Sequence, residues 1–362
     1  MNGSTAPQTR IVTEGKVSVL VNGAKHDSGP GSKITGFYNP VMMFNRDVHV
    51  SFLRALGMES KRTFLDGLSS TGIRGIRVGL ELDEAPRLVL NDINPKSCEL
   101  INENLERNGM DARVECGNVN ALMSREYFDH IDLDPYGTPA PYLDTALQSL
   151  KDHGILSVTA TDTAALTGSK PRVSWRRYGI KLELLPAMRE ISLRALLGFI
   201  ATTAARHEKG IQSLLVHASE HYVRAYVKVR KGAGRADSSL EQLKRFGKNW
   251  RCLEEDELGP IWWGPLFNMT VLDKMQNWPW LGTGENLEKH TALWREEAPL
   301  PPLYYHSDRV AQEIGGSPPG MEQILASLKE RGFQAGRTHF EPKGFKTDAP
   351  WKEVADLFKG YQ

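Results

Sequence analysis

The chain has 362 residues, enough for two domains rather than one small core. Hydrophobic residues at 40% and charged residues at 25% match a globular protein and exclude disordered or fibrous classes. No apolar run approaches the roughly 20 residues needed to span a bilayer, and a net charge of +1 leaves any choice of partner to local charge patterning.

Residues 1–10 are small and polar, unlike a secretory signal, and read as a loose tail. Residues 16–21 alternate like a strand, and Asn22-Gly23 is a turn signal, so a small hairpin is expected near the start. From about 48 to 230, apolar strand-like runs alternate with helical periodicity. Residues 62–65 form a strand entering a glycine-rich turn, and 73–82 a helix. Residues 87–90 form a second strand ending at Asn91-Asp92. Helical spacing over 95–108 stops at Gly109, a C-cap signal. Short strands follow at 113–115 and 130–133, then a helix at 142–150 and a strand at 154–160. Residues 182–205 make one or two helices, and 213–217 with 222–229 a closing antiparallel pair.

Repeated strand–helix units predict an α/β fold with a parallel, doubly wound sheet, whose ligands bind beyond the carboxyl ends of the strands. A composition shift at Lys231-Gly232-Ala233-Gly234 marks a domain boundary, dividing the chain into 1–230 and 231–362. The second part is rich in tryptophan and proline. Its helix at 321–331, strands around a turn over 333–346 and helix at 351–358 have a winged-helix-like order, a smaller α+β domain.

Chemistry concentrates in the first part. The strand Ile131-Asp132-Leu133 runs into Asp134-Pro135-Tyr136. Asp-Pro is common in ordinary turns. At a strand end in such a sheet, however, it suits attack on an exocyclic amine of a base: the carboxylate accepts an N–H and the aromatic offers a stacking face. Upstream, Asp66-Gly67-Leu68-Ser69-Ser70-Thr71-Gly72 follows a strand and opens a helix, so backbone N–H groups can approach a ligand. Its spacing is not the G-x-G-x-x-G of a dinucleotide site. Asp92 ends the next strand, where a carboxylate accepts ribose hydroxyls. Asn118-Val119, after the third strand, can edge an adenine. A glycine turn, a ribose acid and no phosphate lysine fit S-adenosylmethionine better than NAD or ATP. Two stretches, 172–181 and 224–235, carry basic residues without acids, and aromatics lie among or beside them (Trp175, Tyr178, Tyr222, Tyr226), a pattern compatible with nucleic acid. Cys98, Cys116 and Cys252 are far apart, so neither a disulfide framework nor a metal knuckle is expected, and a reducing cytoplasm is the simplest setting.

With these motifs the chain resembles the tRNA guanine-N2 dimethyltransferases that act at position 26. The likeness rests on Thr13-Glu14-Gly15, Phe37-Tyr38-Asn39-Pro40, Asn45-Arg46-Asp47, the loop from Asp66 to Arg74 and the run from Asp134 to Pro141. Thr159 to Ala164, Arg176-Arg177-Tyr178-Gly179, Arg337-Thr338-His339-Phe340 and Lys346 to Pro350 extend it, so it covers about residues 13 to 358. The compact length is that of the archaeal type. The resemblance implies a class I, Rossmann-like methyltransferase domain plus a C-terminal domain that helps hold tRNA. It implies S-adenosylmethionine as cofactor, held by Arg46, Arg74, Asp92, Asn118 and Val119 in addition to Asp66 and Gly67 of the glycine turn. It makes Asp134 the catalytic aspartate, with the Pro135 carbonyl as second acceptor, and places Phe37 and Tyr136 at the guanine pocket. Phosphate contact is the preferred role for Arg176, Arg177, Arg337, Lys343 and Lys346. His339 suits packing as readily as RNA contact. Many relatives carry paired C-terminal cysteines that can bind zinc; with only Cys252 there, no metal is expected, and packing around Trp262 and Trp263 should replace it. No membrane or obligate protein partner is evident. The alternatives are an amino-methyltransferase for another RNA or DNA base, and a catalytically silent RNA-binding protein.

Overall fold

In a computed structural model, residues 9–22, 35–219, 221–247 and 257–361 are described. The chain opens with β1 (Thr9–Glu14) and β2 (Val17–Asn22), an antiparallel hairpin. Its turn is Gly15-Lys16 rather than the expected Asn22-Gly23, and Gly23 lies outside the described residues. Gly15 has φ +60°, and a Cβ there would overlap the Glu81 carboxylate, so the position requires glycine.

Then follow α1 (Met43–Leu56), β3 (Thr63–Asp66), α2 (Ile73–Glu81), β4 (Arg87–Asp92), α3 (Pro95–Arg107), β5 (Arg113–Cys116), α4 (Val119–Met123), β6 (Phe128–Leu133), α5 (Ala140–Ser149) and β7 (Leu150–Ala160). Beyond them lie α6 (Thr163–Leu166), α7 (Pro171–Tyr178), α8 (Met188–Ala205), β8 (Lys209–Ala218) and β9 (Val223–Lys231). Seven strands form one sheet in the order β5-β4-β3-β6-β7-β9-β8. Neighbours among β3 to β7 pair in parallel. The chain steps outward from β3 to β5 and returns at β6, so the switch point lies between β3 and β6, where the carboxyl ends open a crevice. The strands are near-continuous apolar runs because helices cover both faces: Phe64, Leu65, Leu90, Ile131 and Leu133 are buried with Ile73, Ile76, Ile101, Leu143 and Leu147.

Local caps explain several boundaries. Asn94 accepts from Lys96 N (3.1 Å) with Pro95 opening α3, and Asn118 accepts from Asn120 N (2.9 Å) to cap α4. The chain ends with α9 (Ala233–Leu240), β10 (Leu243–Phe246), β11 (Leu258–Trp262), α10 (Met269–Lys274), α11 (Gly284–Glu297), β12 (Tyr305–His306), α12 (Ser307–Ile314), α13 (Met321–Glu330), β13 (Ala335–Arg337), β14 (Gly344–Thr347) and α14 (Trp351–Lys359). The small antiparallel sheet β12-β14-β13 packs with these helices around Val310, Ile324, Leu328, Phe345, Leu357 and Phe358. The order helix, hairpin, helix over α13, β13–β14 and α14 is the one read from the sequence, which did not anticipate α12 or β12.

Two compact units interleave along the chain. One comprises Met1–Thr159, Lys228–Arg230 and Asp273–Lys289; the other comprises Ala160–Val227, Lys231–Leu272 and His290–Gln362. The expected cut after 230 is therefore only one of several crossings. The excursion Asp273–Lys289 belongs with the first unit: the backbone N–H and hydroxyl of Thr283 donate to Asp47 (2.8 and 2.6 Å), and Ser51 Oγ donates to Gln276 O (2.9 Å). Cys252 lies outside the described residues.

Candidate active site

Four strand ends, β3 to β6, meet in the crevice of the first unit. On β6 the side chains of His130, Asp132 and, one step beyond the strand, Asp134 fall on one face, because successive residues alternate. Asp132 is fully buried, whereas Asp134 reaches the crevice at 22% side-chain exposure. Arg74, in the first turn of α2, lies between them. Its Nη2 donates to Asp134 Oδ2 and to Asn45 Oδ1 (3.0 Å), and its Nε is 3.5 Å from Asp132 Oδ1.

Asp66 stands opposite Asp132 in the β3–β6 register and is buried. Its carboxylate accepts from Gly75 N (3.1 Å), which fixes the glycine-rich loop against α2. Burial first, and the charge of Asp132 second, push its pKa up to about 7. Gly67 beside it has no room for a side chain: a Cβ would press on Leu133 and Val119 (3.1 Å each). These two expected cofactor residues thus shape the loop from beneath.

Asp92, half-buried at the end of β4, accepts from Ser70 N (2.9 Å) and Asn94 N (2.8 Å). The next residue, Ile93, is 69% exposed. Ser70 has φ +51° and donates through Oγ to Phe37 O (3.1 Å), tying the loop to the segment that carries the aromatic wall. Phe37 and Tyr136 meet edge to face with centroids 5.2 Å apart. Tyr136 is 54% exposed; burial of its hydroxyl, then the charges of Asp134 and Asp92, raise its pKa above the usual tyrosine range. Behind this wall Glu14 accepts from Arg46 Nε and Nη2 (2.6 Å each), Arg77 Nη1 (2.6 Å) and Tyr38 Oη (2.9 Å). Burial alone would raise the pKa of Glu14, but these partners hold it down at about 2. Arg46 also reaches Asn39 O (3.2 Å). Asn118 is exposed and Val119 buried at the end of β5.

One reading changes here. Cys98 of α3 and Cys116 of β5 form a disulfide with Cα atoms 5.9 Å apart, contrary to the expectation of no disulfide. It sits at the end of β5 next to Gly117, whose N–H donates to Asp92 O (2.9 Å). His49, His130 and Asp132 place three ligand atoms within 4.8 Å of one another. The Arg74 guanidinium on Asp132 opposes a cation there, and His130 Nε2 is bonded to Ser157 Oγ (2.7 Å).

The second unit sorts the basic residues. Lys346 is buried between Glu190 and Glu297 (2.8 Å each), so it does not reach a phosphate; the expected contact is corrected to a core ion triad. His339 Nδ1 pairs with the same Glu297 (2.7 Å) and is a packing residue. Tyr222, Arg224 and Tyr226 are buried and face no RNA, whereas Lys231 and Arg235 of the same basic stretch are exposed. Arg337 and Lys343 are exposed but paired with Glu322 (2.6 Å) and Asp308 (2.7 Å). Arg177 pairs with Asp162 (2.9 Å). On α7, Arg172 and Arg176 are exposed beside Trp175, itself 63% exposed.

A family model described as N2,N2-dimethylguanosine tRNA methyltransferase matches residues 15–258 and 252–359. The chain belongs to this family. A tRNA (guanine(26)-N(2))-dimethyltransferase of Thermoplasma volcanium is 33% identical over 353 residues, 97% of this chain and 98% of that one. Its counterpart in Pyrobaculum islandicum is 38% identical over 329 residues, covering 89% and 91% of the two chains. The solved structure of Trm1 from Pyrococcus horikoshii with S-adenosyl-L-methionine superposes with a TM-score of 0.85 at 33% identity, covering 96% and 99%. The dimethyltransferase family accounts for the seven-stranded sheet and the strand-end Asp-Pro-Tyr together.

Sequence reading gave no role of their own to three residues here. Ile93 carried a signal, an apolar residue directly after a strand-end acid. Ser70 and Asn45 stood inside quoted motifs, but their partners Phe37 and Arg74 are distant in the chain.

Proposed function

We propose that this chain transfers methyl groups from S-adenosylmethionine to the exocyclic N2 of guanine 26 in tRNA, giving N2,N2-dimethylguanosine, with Asp134 as acceptor and base. The observation that carries the reading is the placement of a partly exposed Asp134 beside the Phe37–Tyr136 corner, in the same crevice as Asp92.

The donor set fits the cofactor. Asp92 keeps lone pairs for ribose hydroxyls, Ile93 and Val119 offer apolar contact to adenine, and Asn118 offers a polar edge. The loop from Asp66 to Thr71 has no lysine or arginine for a phosphate. Arg46, fixed through Nε and Nη2, has no partner at Nη1 among the described residues, which leaves that donor for a carboxylate. When bound, S-adenosylmethionine supplies a methyl group on a sulfonium.

Guanine must leave its stack to enter, which costs a few kcal/mol. Stacking against Phe37 or Tyr136 returns roughly 1–3 kcal/mol. The N2 lone pair is delocalised into the ring. When Asp134 accepts one N–H and the Pro135 carbonyl the other, the nitrogen pyramidalises and aims its lone pair at the methyl carbon. The N–C bond forms as the C–S bond breaks and its electrons return to sulfur. The N2 proton passes to Asp134 and then to solvent. A methylated, cationic amine is a strong acid, so an ordinary carboxylate suffices as base. Positioning supplies most of the acceleration.

For tRNA phosphates, the exposed residues Arg172, Arg176 and Arg177 of α7 are the best placed, followed by Arg337 and Lys343, whose exposed acid partners a phosphate can displace. A cytoplasmic setting fits a tRNA substrate; no helix among the described residues is long and apolar enough to cross a membrane.

Incubation with labelled cofactor and two transcripts, one with guanine and one with adenine at position 26, tests the reading. Dimethylguanosine from the first transcript alone is expected. Methylated adenosine from the second would favour a broader amino-methyltransferase, and no product from either would favour a silent binder.

A further inference from the structure

We propose that Trp175 is a stacking platform for a second, unpaired base of the substrate tRNA, with Arg172 and Arg176 holding the phosphates beside that base. The proposal rests on the tRNA reading above and deepens it. The arginines alone would grip any polyanion, whereas the indole selects an RNA with a base free to stack.

Among the described residues, Trp175 is the only tryptophan more than half exposed, at 63%. It stands on α7 three residues after Arg172 and one before Arg176, so the three side chains share one face of the helix. Both arginines are exposed, and neither has an ion-pair partner among the described residues. Lys170 and Lys181 flank the helix and are exposed too; residues 170–181 carry five cationic side chains and no acid.

The opposite face holds the helix still. Ser174 Oγ donates to Ile180 O (3.0 Å), and Tyr178 Oη donates to Asp162 Oδ1 (2.6 Å). The Tyr178 ring meets Phe199 edge to face at 5.3 Å, and Arg177 donates to Asp162 Oδ2 (2.9 Å). Gly179, with φ +65°, ends the helix. An indole on a helix fixed in this way loses little freedom when a ring stacks on it, which makes the surface pre-organised for binding.

A lone exposed apolar side chain is ordinary. Two unpaired guanidiniums around it decide what covers it. An apolar protein surface laid over Trp175 would strip water from both cations without compensation, whereas a polyanion neutralises them and releases its counterions. Inside an RNA duplex the base faces are hidden by their neighbours, so only an unpaired or splayed base offers a face to the indole. The target guanine already has Phe37 and Tyr136, which leaves Trp175 for another base.

The experiment measures binding of wild type, Trp175→Ala, Trp175→Phe, Arg172→Gln and Arg176→Gln to two RNAs over a range of salt: an unmodified tRNA transcript and a fully paired RNA duplex of similar length. Trp175→Ala should weaken tRNA binding about 5- to 150-fold, the range for one lost base stack. Its salt slope should match wild type, and its affinity for the duplex should stay within about twofold. Trp175→Phe keeps a ring and should recover most of the loss. Each arginine variant should weaken both RNAs and lower the salt slope by about one. Wild-type tRNA affinity in Trp175→Ala, or an equal loss on tRNA and duplex, would overturn the proposal. So would sedimentation showing that Trp175→Ala only separates a wild-type dimer, which would make the face a seat for a second copy. Failure of the underlying reading looks different: wild type itself would form no N2-methylated guanosine on the transcript.

Discussion

Replacing Asp66 by asparagine should stabilise the protein at neutral pH and have no such effect in acid. The folded environment raises the Asp66 pKa from 3.8 to about 7, by burial and then by the adjacent Asp132, against the opposing pull of Arg74 and the Gly75 N–H. A raised acid binds its proton more tightly in the folded state than in the unfolded one. Below about pH 4 both states are protonated and there is no penalty. As pH rises from about 4 to about 7, the unfolded state ionises first and stability is lost; above about 7 the loss is complete. About three pKa units at 1.36 kcal/mol each make it at most about 4 kcal/mol. Asparagine keeps an oxygen to accept from Gly75 N and has no charge to lose. Denaturant titrations of wild type and Asp66→Asn across about pH 4 to about pH 8 measure the difference. It should be near zero at the acid end and grow to about 2–4 kcal/mol in favour of the variant by neutrality. Because Asp66 supports the loop from beneath, cofactor affinity should change little. A difference that does not vary with pH, or that favours wild type throughout, would refute the assignment of a buried, proton-holding Asp66.

Three further outcomes follow from the same geometry. Lys346→Met should cost about 3–5 kcal/mol of stability by removing the cation shared by buried Glu190 and Glu297, which leaves Glu190 with Arg194 alone and Glu297 with His339, and should leave the salt dependence of tRNA binding unchanged; a folded variant with a flattened salt response would restore Lys346 as a phosphate contact. Phe37→Ala and Tyr136→Ala should each lower tRNA turnover by about tenfold or more, the scale of one lost base stack, while calorimetry shows the same cofactor affinity; equal losses in both measurements would make the pair part of the cofactor site. Cys98→Ser, or reduction of wild type, should lower stability by about 3 kcal/mol, as expected for a loop closed across 18 residues; a melting temperature indifferent to reductant would show that the bridge does not form in solution.

Much of the fold is legible in local sequence. The apolar runs of β3, β4 and β6, the proline opening α3 and the glycine ending it are signals that act over a few residues, and they fix the parallel sheet and its switch point. Asp134-Pro135-Tyr136 and Asp92 are legible for the same reason: each stands at the end of a strand, where such sheets bind ligands. What escapes is set by distant partners. The partners of Arg46 and Arg74, Glu14 at 32 positions before the one and Asp134 at 60 after the other, leave no local trace. Lys346 reads as basic and exposed, yet two glutamates from α8 and α11 draw it into the core. Cys98 and Cys116 lie on different elements whose ends converge only in the fold. The first hairpin turns at Gly15 because Glu81, far along the chain, occupies the space a side chain would need. The return of Asp273–Lys289 to the first unit depends on Asp47 holding Thr283, a contact that leaves no periodic trace.

The most direct test of the central claim compares wild type with Asp134→Asn on unmodified tRNA, following N2-methylated guanosine by mass spectrometry and cofactor binding by calorimetry. The amide keeps the shape of the side chain but cannot take the proton. Turnover should fall by at least about 100-fold, the scale of a lost general base, with cofactor affinity within about twofold. A variant that still forms dimethylguanosine at the wild-type rate would remove Asp134 from the chemistry.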